Sequence, residues 1–192
     1  ACPFAGATAA LQAIVSGYNF GIGVISAKKL RRLQQTMTST FALLPSLNAW
    51  GEEEVLLETK DRNYTASDYR QLFEDLIITN GWSIYNSIGH LQRNIEAPGV
   101  EARGLIDSRT VHCLYGAEID TIGSLAFRNS VPSVGLENGD GTVNIRSLRA
   151  CQMFRNKQSQ EVFITELPGV THTSLFVEPK VYSAILKILW RA

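Results

Sequence analysis

The sequence predicts an α/β fold: the end of an α/β sheet carrying an inserted, mostly helical cap. Three observations carry that expectation. Two compact runs, Val111-His112-Cys113-Leu114-Tyr115-Gly116 and Val162-Phe163-Ile164-Thr165-Glu166-Leu167, are rich in β-branched and aromatic residues and are stopped by Gly or by Pro168-Gly169, as core strands are. Helical spacing stands on either side of them, with Tyr69, Leu72, Phe73 and Leu76 at i, i+3, i+4 and i+7, and with Val181, Ile185, Ile188 and Leu189 on one face after a first-turn Pro179. Long stretches separate these elements, so excursions are expected between strands.

Taken in order, Ala1-Cys2-Pro3-Phe4-Ala5-Gly6 is small and turn-like, and Leu11, Ile14 and Val15 then recur at helix spacing. A Gly/Asn-rich segment follows from Gly17. Ser26 is placed to cap a basic helix with Leu30, Leu33 and Met37 on one face and Lys28, Lys29, Arg31 and Arg32 beside it. On residues alone, a solvated surface helix is the simpler reading and a lipid-surface helix the alternative. Val55-Leu56-Leu57 is a strand candidate. Thr65-Ala66-Ser67-Asp68 resembles a capping box opening the Tyr69 helix, which Gly81 is expected to end. From Trp82 to Ile106 the pattern is mixed, and Pro98-Gly99 marks a turn. The Pro98-Gly99 turn is a candidate boundary between this mostly helical part and the later strands.

A chain of 192 residues that is 45% hydrophobic can bury a sizeable core, which sets disorder aside. Lys+Arg and Asp+Glu are 18 each, so no broad phosphate-neutralising surface is expected and a nucleic-acid partner is not. Residues 5–25 are apolar, but Gln12, Ser16, Asn19 and three glycines interrupt them short of the roughly 18 to 20 residues that span a bilayer. The N-terminus lacks the pattern of a signal peptide, so Ala1 reads as a processed or truncated start. Three cysteines, Cys2, Cys113 and Cys151, allow one disulfide and one free thiol. With the sequon Asn63-Tyr64-Thr65 they favour an oxidising, secretory compartment.

Acid–base chemistry near neutral pH points to histidine, and there are three. His112 lies inside an apolar strand run and reads as a packed, hydrogen-bonded residue, and His90 lies in the irregular region without catalytic context. His172 follows a strand and the Pro168-Gly169 turn and precedes the final helix, where an α/β hydrolase places its base. The matching acid should end the preceding strand. Asn138-Gly139-Asp140-Gly141-Thr142-Val143 offers one carboxylate in a tight turn, with Asp120 as runner-up. A turn without a chemical role is the alternative at Asp140; a calcium loop is disfavoured because the regular Asp/Asn ligand spacing is absent. No Gly-x-Ser-x-Gly elbow is present, since Ser83 and Ser124 stand in other contexts.

Cys113-Leu114-Tyr115-Gly116, Gly139-Asp140-Gly141-Thr142-Val143, Arg146-Ser147-Leu148 leading to Cys151, and Glu166-Leu167-Pro168-Gly169 leading to His172 resemble, in order and spacing, the C-terminal blocks of the lecithin:cholesterol acyltransferase and lysosomal phospholipase family. Ser16-Gly17-Tyr18-Asn19 with Gly21-Ile22 is similar to the start of that family's lid, Leu43-Leu44-Pro45 to its end, and Asn63-Tyr64-Thr65 with Asp68-Tyr69 to the cap helix that follows. The sequence departs at Val170-Thr171, where the family more usually has an acidic or amide residue before the histidine.

The resemblance implies an α/β-hydrolase fold in which Asp140 is the triad acid and His172 the base, and in which Cys113 pairs with Cys151. Cys2 is then left as a buried free thiol. The resemblance divides the chain into residues 1–106, the end of a core strand plus a cap with a lid at about 17–40, and residues 107–192, the later part of the core. It implies a lid touching membrane through Tyr18, Ile22, Val24, Ile25, Lys28, Lys29, Arg31 and Arg32, and no metal or other cofactor. It also implies that the nucleophilic serine and its oxyanion donors belong to an upstream segment, either in the same precursor or on a separate chain. The sequon itself predicts a glycan on Asn63 if the chain passes through a eukaryotic secretory pathway. The expected function is one half of a phospholipid acyl hydrolase or O-acyltransferase, working at a phospholipid membrane or lipoprotein surface in lysosomes or outside the cell. A non-catalytic lipid-binding or storage protein is the rival, separated from the enzyme by whether a serine elbow accompanies the chain.

Overall fold

A computed structural model describes residues 2–19, 21–96, 110–129, 131–155 and 160–190. Cys2–Gly6 is a turn, closed by the Gly6 N–H on the Pro3 carbonyl (3.1 Å), and no strand forms there. Helix α1 (Thr8–Val15) follows, Ala-rich and buried at every position but Gln12. Gly17 ends it with φ +87°, and a Cβ there would lie 1.9 Å from the Ala27 carbonyl oxygen. That missing side chain lets the basic helix α2 (Ala27–Gln34) lie directly against the end of α1. Ser26 occupies the N-cap position of α2 without a side-chain cap bond, and Met37 falls beyond the helix, at the N-cap of α3 (Thr38–Ala42).

A short helix α4 (Leu47–Trp50) leads to β1 (Leu57–Thr59) and β2 (Asn63–Tyr64), an antiparallel pair. The expected strand at Val55 starts later because backbone pairing begins at Leu56, whose N–H donates to the Tyr64 carbonyl (2.9 Å). Helix α5 (Tyr69–Asp75) opens at Asp68, which makes no side-chain cap bond to the helix; its Oδ2 instead accepts the Thr65 N–H and hydroxyl (2.9 and 3.0 Å) in the turn before it. The buried Tyr69 hydroxyl donates to the Pro45 carbonyl (2.7 Å), and burial pushes that phenol well above its usual pKa, keeping it a neutral donor.

Two expectations in this region are corrected. Gly81 does not end α5, which stops at Asp75 with Ile77 in the left-handed region (φ 56°). It opens helix α6 (Gly81–Glu96), and a Cβ at Gly81 would lie 2.9 Å from Phe73, so the glycine serves close packing of the two helices. The stretch after Trp82 is accordingly helical rather than irregular, at least to Glu96, and holds His90. Ile84, Tyr85 and Ile88 reach the core from one narrow face, which explains the weak pattern. The Pro98-Gly99 turn and the 106/107 boundary lie outside the described residues.

Strand β3 (Thr110–Ala117) pairs in parallel with β6 (Glu161–Pro168), as the two β-rich runs predicted, in the register Thr110 to Glu161 through Ala117 to Pro168. Between them lie two strands that the sequence reading did not delimit, β4 (Ile119–Asn129) and β5 (Val131–Gly139), an antiparallel hairpin. Glu118 alone joins β3 to β4, at φ 62°, with its N–H held by the Asn138 side chain (2.8 Å). The hairpin completes a second sheet in the order β2-β1-β4-β5, in which β1 runs parallel to β4. This sheet therefore joins strands from both sides of residue 106.

After β5 come a short helix α7 (Ile145–Leu148) and a 3-10 turn, Arg149–Phe154. Cys151 in that turn is disulfide-bonded to Cys113 of β3, with Cα atoms 6.7 Å apart. The main core gathers Leu11, Ile14, Phe41, Leu57, Phe73 and Leu125 from helices and sheet alike. The final helix α8 (Pro179–Leu189) has Pro at its start, as expected, but its apolar face is mostly uncovered: Val181 is buried, whereas Leu186 is 50% and Leu189 64% exposed. No helix among the described residues is long and apolar enough to cross a membrane.

Candidate active site

The topology brings two loops to one place. β5 ends opposite the start of β4, with Gly139 paired to Ile119, and β4 starts one residue after β3. β6 ends beside the same point, with Pro168 paired to Ala117. The loops after β5 and β6 thus emerge together at the carboxyl end of β3, the edge at which open α/β sheets hold their sites.

The first loop carries Asp140, which is fully buried. Its turn assigns a partner to each N–H from residue 140 to 143. Asp140 N–H donates to the Val143 carbonyl (3.1 Å), and the Thr142 and Val143 N–H groups donate to Asp140 Oδ1 (3.1 and 2.7 Å). Gly141 N–H donates to Thr121 Oγ1 (2.8 Å). Gly139 is required beside it, because a Cβ there would lie 2.4 Å from both Thr121 Oγ1 and the Val143 carbonyl oxygen. Asn144 fixes the far side of the turn: its Oδ1 accepts the Thr8 N–H at the start of α1 (3.0 Å), and its Nδ2 donates to the Ile122 carbonyl (2.8 Å).

The second loop carries His172. Gly169 N–H returns to the Ala117 carbonyl (2.8 Å), and Val170 is buried against Gly116, where a Cβ would lie 1.8 Å from the Val170 carbonyl oxygen. Thr171 and Ser174 cap one another, the Thr171 N–H on Ser174 Oγ (3.0 Å) and the Ser174 N–H on Thr171 Oγ1 (3.1 Å). His172 is joined to Asp140 twice, by its backbone N–H to the Asp140 carbonyl (2.8 Å) and by Nδ1 to Asp140 Oδ2 (2.8 Å). An ionised carboxylate only accepts, so the Nδ1 bond calls for the hydrogen on Nδ1 and leaves a lone pair on Nε2. The carboxylate is buried while the His172 side chain stays 34% exposed, so the ring can meet an incoming proton donor.

A cavity of about 500 Å³, mostly apolar, opens beside this pair. Ala10 and Ala13 of α1 line it opposite Leu30 and Leu33, and Val143 and His172 also form part of its wall. α2 is held beside it by three kinds of side-chain bond. Gln34, buried, clasps the Tyr18 peptide through Oε1 from the N–H (3.0 Å) and Nε2 to the carbonyl (2.6 Å), while Arg31 Nε and Gln35 Nε2 both donate to the Ile14 carbonyl (3.3 and 2.8 Å).

Of the residues singled out from sequence, Asp140 and His172 are brought together, and Cys113 and Cys151 are bonded. Asp120 lies exposed in β4 opposite Asn138, on a different strand from the Asp140 turn. His112 is packed, its ring stacked on Phe163 with centroids 5.1 Å apart. Ile22, Val24, Ile25, Lys28, Lys29 and Arg32 are exposed in and beside α2, but Arg31 is half-buried and committed to Ile14. Cys2 is free and exposed rather than buried, because its turn runs along the surface before α1 enters the core. Asn63 is exposed in β2. Thr121, Asn144, Gly116 and the Thr171/Ser174 pair were missed. A sequence signal existed only at Thr171-x-x-Ser174, which has the spacing of a cap; the others act across distant chain positions.

Fold and site together define a mixed α/β protein with a buried carboxylate–imidazole pair facing an apolar cavity. The family model of lecithin:cholesterol acyltransferase matches residues 1–103, and the chain belongs to that family. It is 32% identical over 190 residues to the lysosomal phospholipase A and acyltransferase of Rattus norvegicus, covering 97% of this chain and 44% of that protein. The Homo sapiens protein of the same description matches equally, and the phosphatidylcholine-sterol acyltransferase of Gallus gallus is 33% identical over 90% of this chain and 41% of its own length. The chain therefore spans less than half the length of these relatives. Their descriptions name phospholipase and acyltransferase chemistry, so lipid acyl transfer or hydrolysis is the chemistry of the family's described members.

Proposed function

We propose that this chain is the C-terminal half of a phospholipid acyl hydrolase and O-acyltransferase, supplying the acid and base of a Ser-Asp-His triad whose serine lies on an upstream segment or separate chain. The observation that carries the reading is the buried Asp140 carboxylate, 2.8 Å from His172 Nδ1, beside an apolar cavity. His172 Nε2 takes the serine hydroxyl proton as the oxygen attacks the ester carbonyl, then returns it to the departing lysophospholipid alcohol, leaving an acyl-serine. Water or a lipid alcohol gives its proton to the same nitrogen and accepts the acyl group, restoring the serine. Asp140 holds the required tautomer and offsets the charge on the imidazolium. The cavity along α1 would receive acyl chain, and no step calls for a metal.

In this reading the upstream segment also covers the open face of α8, since Phe176 (81% exposed) and Trp190 (84%) otherwise stand in water beside Leu186 and Leu189. Residues 1–106 then form cap and lid, with lid at about 17–40, and residues 107–192 the later core, the two joined through β1 on β4. The disulfide and the exposed sequon suit a lysosomal or extracellular protein. If Asn63 carries a glycan, glycosidase treatment of protein from a eukaryotic secretory host should increase its gel mobility; unchanged mobility would mean that Asn63 is an unmodified residue of β2.

A serine-directed fluorophosphonate tests the function. The complete protein should be labelled on the upstream segment and release fatty acid from phospholipid vesicles. A complete protein that binds phospholipid but is neither labelled nor hydrolytic would be a lipid-binding protein on the same fold, and labelling within residues 1–192 would refute the division of the triad.

The lid reading makes a separate prediction. Each exposed cation near an anionic bilayer contributes about 1 kcal/mol, so neutralising Lys28, Lys29 and Arg32 together should weaken binding to anionic vesicles while sparing hydrolysis of a soluble ester. Arg31 is left intact in that variant because it holds the end of α1. Equal loss on vesicles and soluble ester would place these residues in the fold rather than at the membrane.

A further inference from the structure

We propose that Thr121 is a positioning residue for the acid–base pair, an assignment that rests on the triad reading above. The residue is buried, and its hydroxyl both donates, to the Ile119 carbonyl (2.9 Å), and accepts, from the Gly141 N–H (2.8 Å). The other N–H groups of the Asp140–Val143 turn are satisfied within the turn itself, so among the described residues Thr121 is the side chain outside the turn that accepts from its backbone. Gly139 is the counterpart of this anchor, its missing Cβ leaving the space that Thr121 Oγ1 fills.

The chemistry follows from what Gly141 N–H would do without that acceptor. A buried N–H that loses its partner must find another or cost stability, and the Asp140 carboxylate, one residue earlier, is a strong acceptor that already draws N–H groups of the same turn. Asp140 Oδ1 already takes two N–H groups, so a third donor competes for Oδ2, the atom that faces His172. Thr121 thus keeps one carboxylate oxygen reserved for the imidazole. Its influence reaches the reacting atoms through Asp140, without contact between Thr121 and substrate.

Valine preserves the shape of threonine and removes the hydroxyl; serine keeps the hydroxyl. In the complete protein, T121V should lower kcat for a soluble ester about 10- to 100-fold, the scale of a small misplacement of a catalytic group, with KM unchanged. The downfield proton resonance of His172 Nδ1–H should move upfield or vanish in T121V. T121S should recover most of both losses. If T121V does not fold, T121A takes its place with the same expectation. Parent kcat and an unmoved resonance in T121V, or T121S as impaired as T121V, would overturn the proposal. D140N run alongside separates the two levels: undiminished turnover in D140N would defeat the triad reading, while the Nδ1 resonance of T121V would still report on positioning.

Discussion

Replacing His172 with alanine should lower turnover of a phospholipid by about five to six orders of magnitude, the scale on which triad members act as a unit, with little change in assembly. The structure explains why assembly should survive. The His172 backbone N–H to the Asp140 carbonyl needs no imidazole, and the Thr171/Ser174 caps hold the loop from both sides of residue 172. D140N should cost about four orders of magnitude through the imidazole tautomer. With an amide NH2 facing Nδ1, the ring carries its hydrogen on Nε2 and cannot accept the serine proton. The comparison is made by single-turnover kinetics on that phospholipid. Equal, small losses in both variants would mean that neither group acts at the reacting centre.

The second large effect is expected at a residue that carries no functional group. G116A would introduce a Cβ 1.8 Å from the Val170 carbonyl oxygen, and backbone must move to admit it. Overpacking of this kind typically costs about 1 to 3 kcal/mol, and Val170 stands two residues before His172, so the strain is delivered into the His172 loop. Turnover should fall about 100-fold as the imidazole shifts. Urea unfolding measures the first effect and kcat the second. G23A is the matched control for stability, since nothing lies within 4 Å of a Cβ at that position. A G116A protein as stable and active as the parent would mean that β3 and the His172 loop can separate freely.

Much of this architecture was legible in the residues, and the parts that were not share a physical cause. The runs at Val111 and Val162 and the helix after Pro179 declare themselves locally, through β-branched content and apolar period, and so does the Asp140 turn between two glycines. The β4–β5 hairpin does not. Gly123, Ser124, Gly135 and Pro132 give it poor strand propensity, and its pairing depends on tertiary fit: a Cβ at Gly135 would lie 2.4 Å from Ser124 Oγ. Gly81 looked like a helix terminator because glycine has that meaning in isolation, but here its role is set by Phe73 on the neighbouring helix. Arg31 counted with three surface cations in the sequence, yet its helix face turns it toward the Ile14 carbonyl. Asp140 and His172, which the structure brings together, could be singled out because chain order and flanking turns mark them. Thr121 and Asn144 could not, because nothing near them in sequence says which loop they hold.

The single residue between β3 and β4 gives strand alignment a chemical meaning. The Asp140 loop follows β5, whose end lies opposite the start of β4 just beyond β3, whereas the His172 loop follows β6, tied to β3 by the register that pairs Ala117 with Pro168. A slip of one position between β3 and β6 would reverse the faces of β6 and advance its end by about 3.3 Å. Val170 would no longer meet Gly116, and the imidazole would miss the carboxylate by roughly the length of that slip. If the pair acts as the proposed triad's acid and base, misaligned chains would be unable to deprotonate a nucleophile, and an error in sheet pairing would be silenced by the same geometry that brings the pair together.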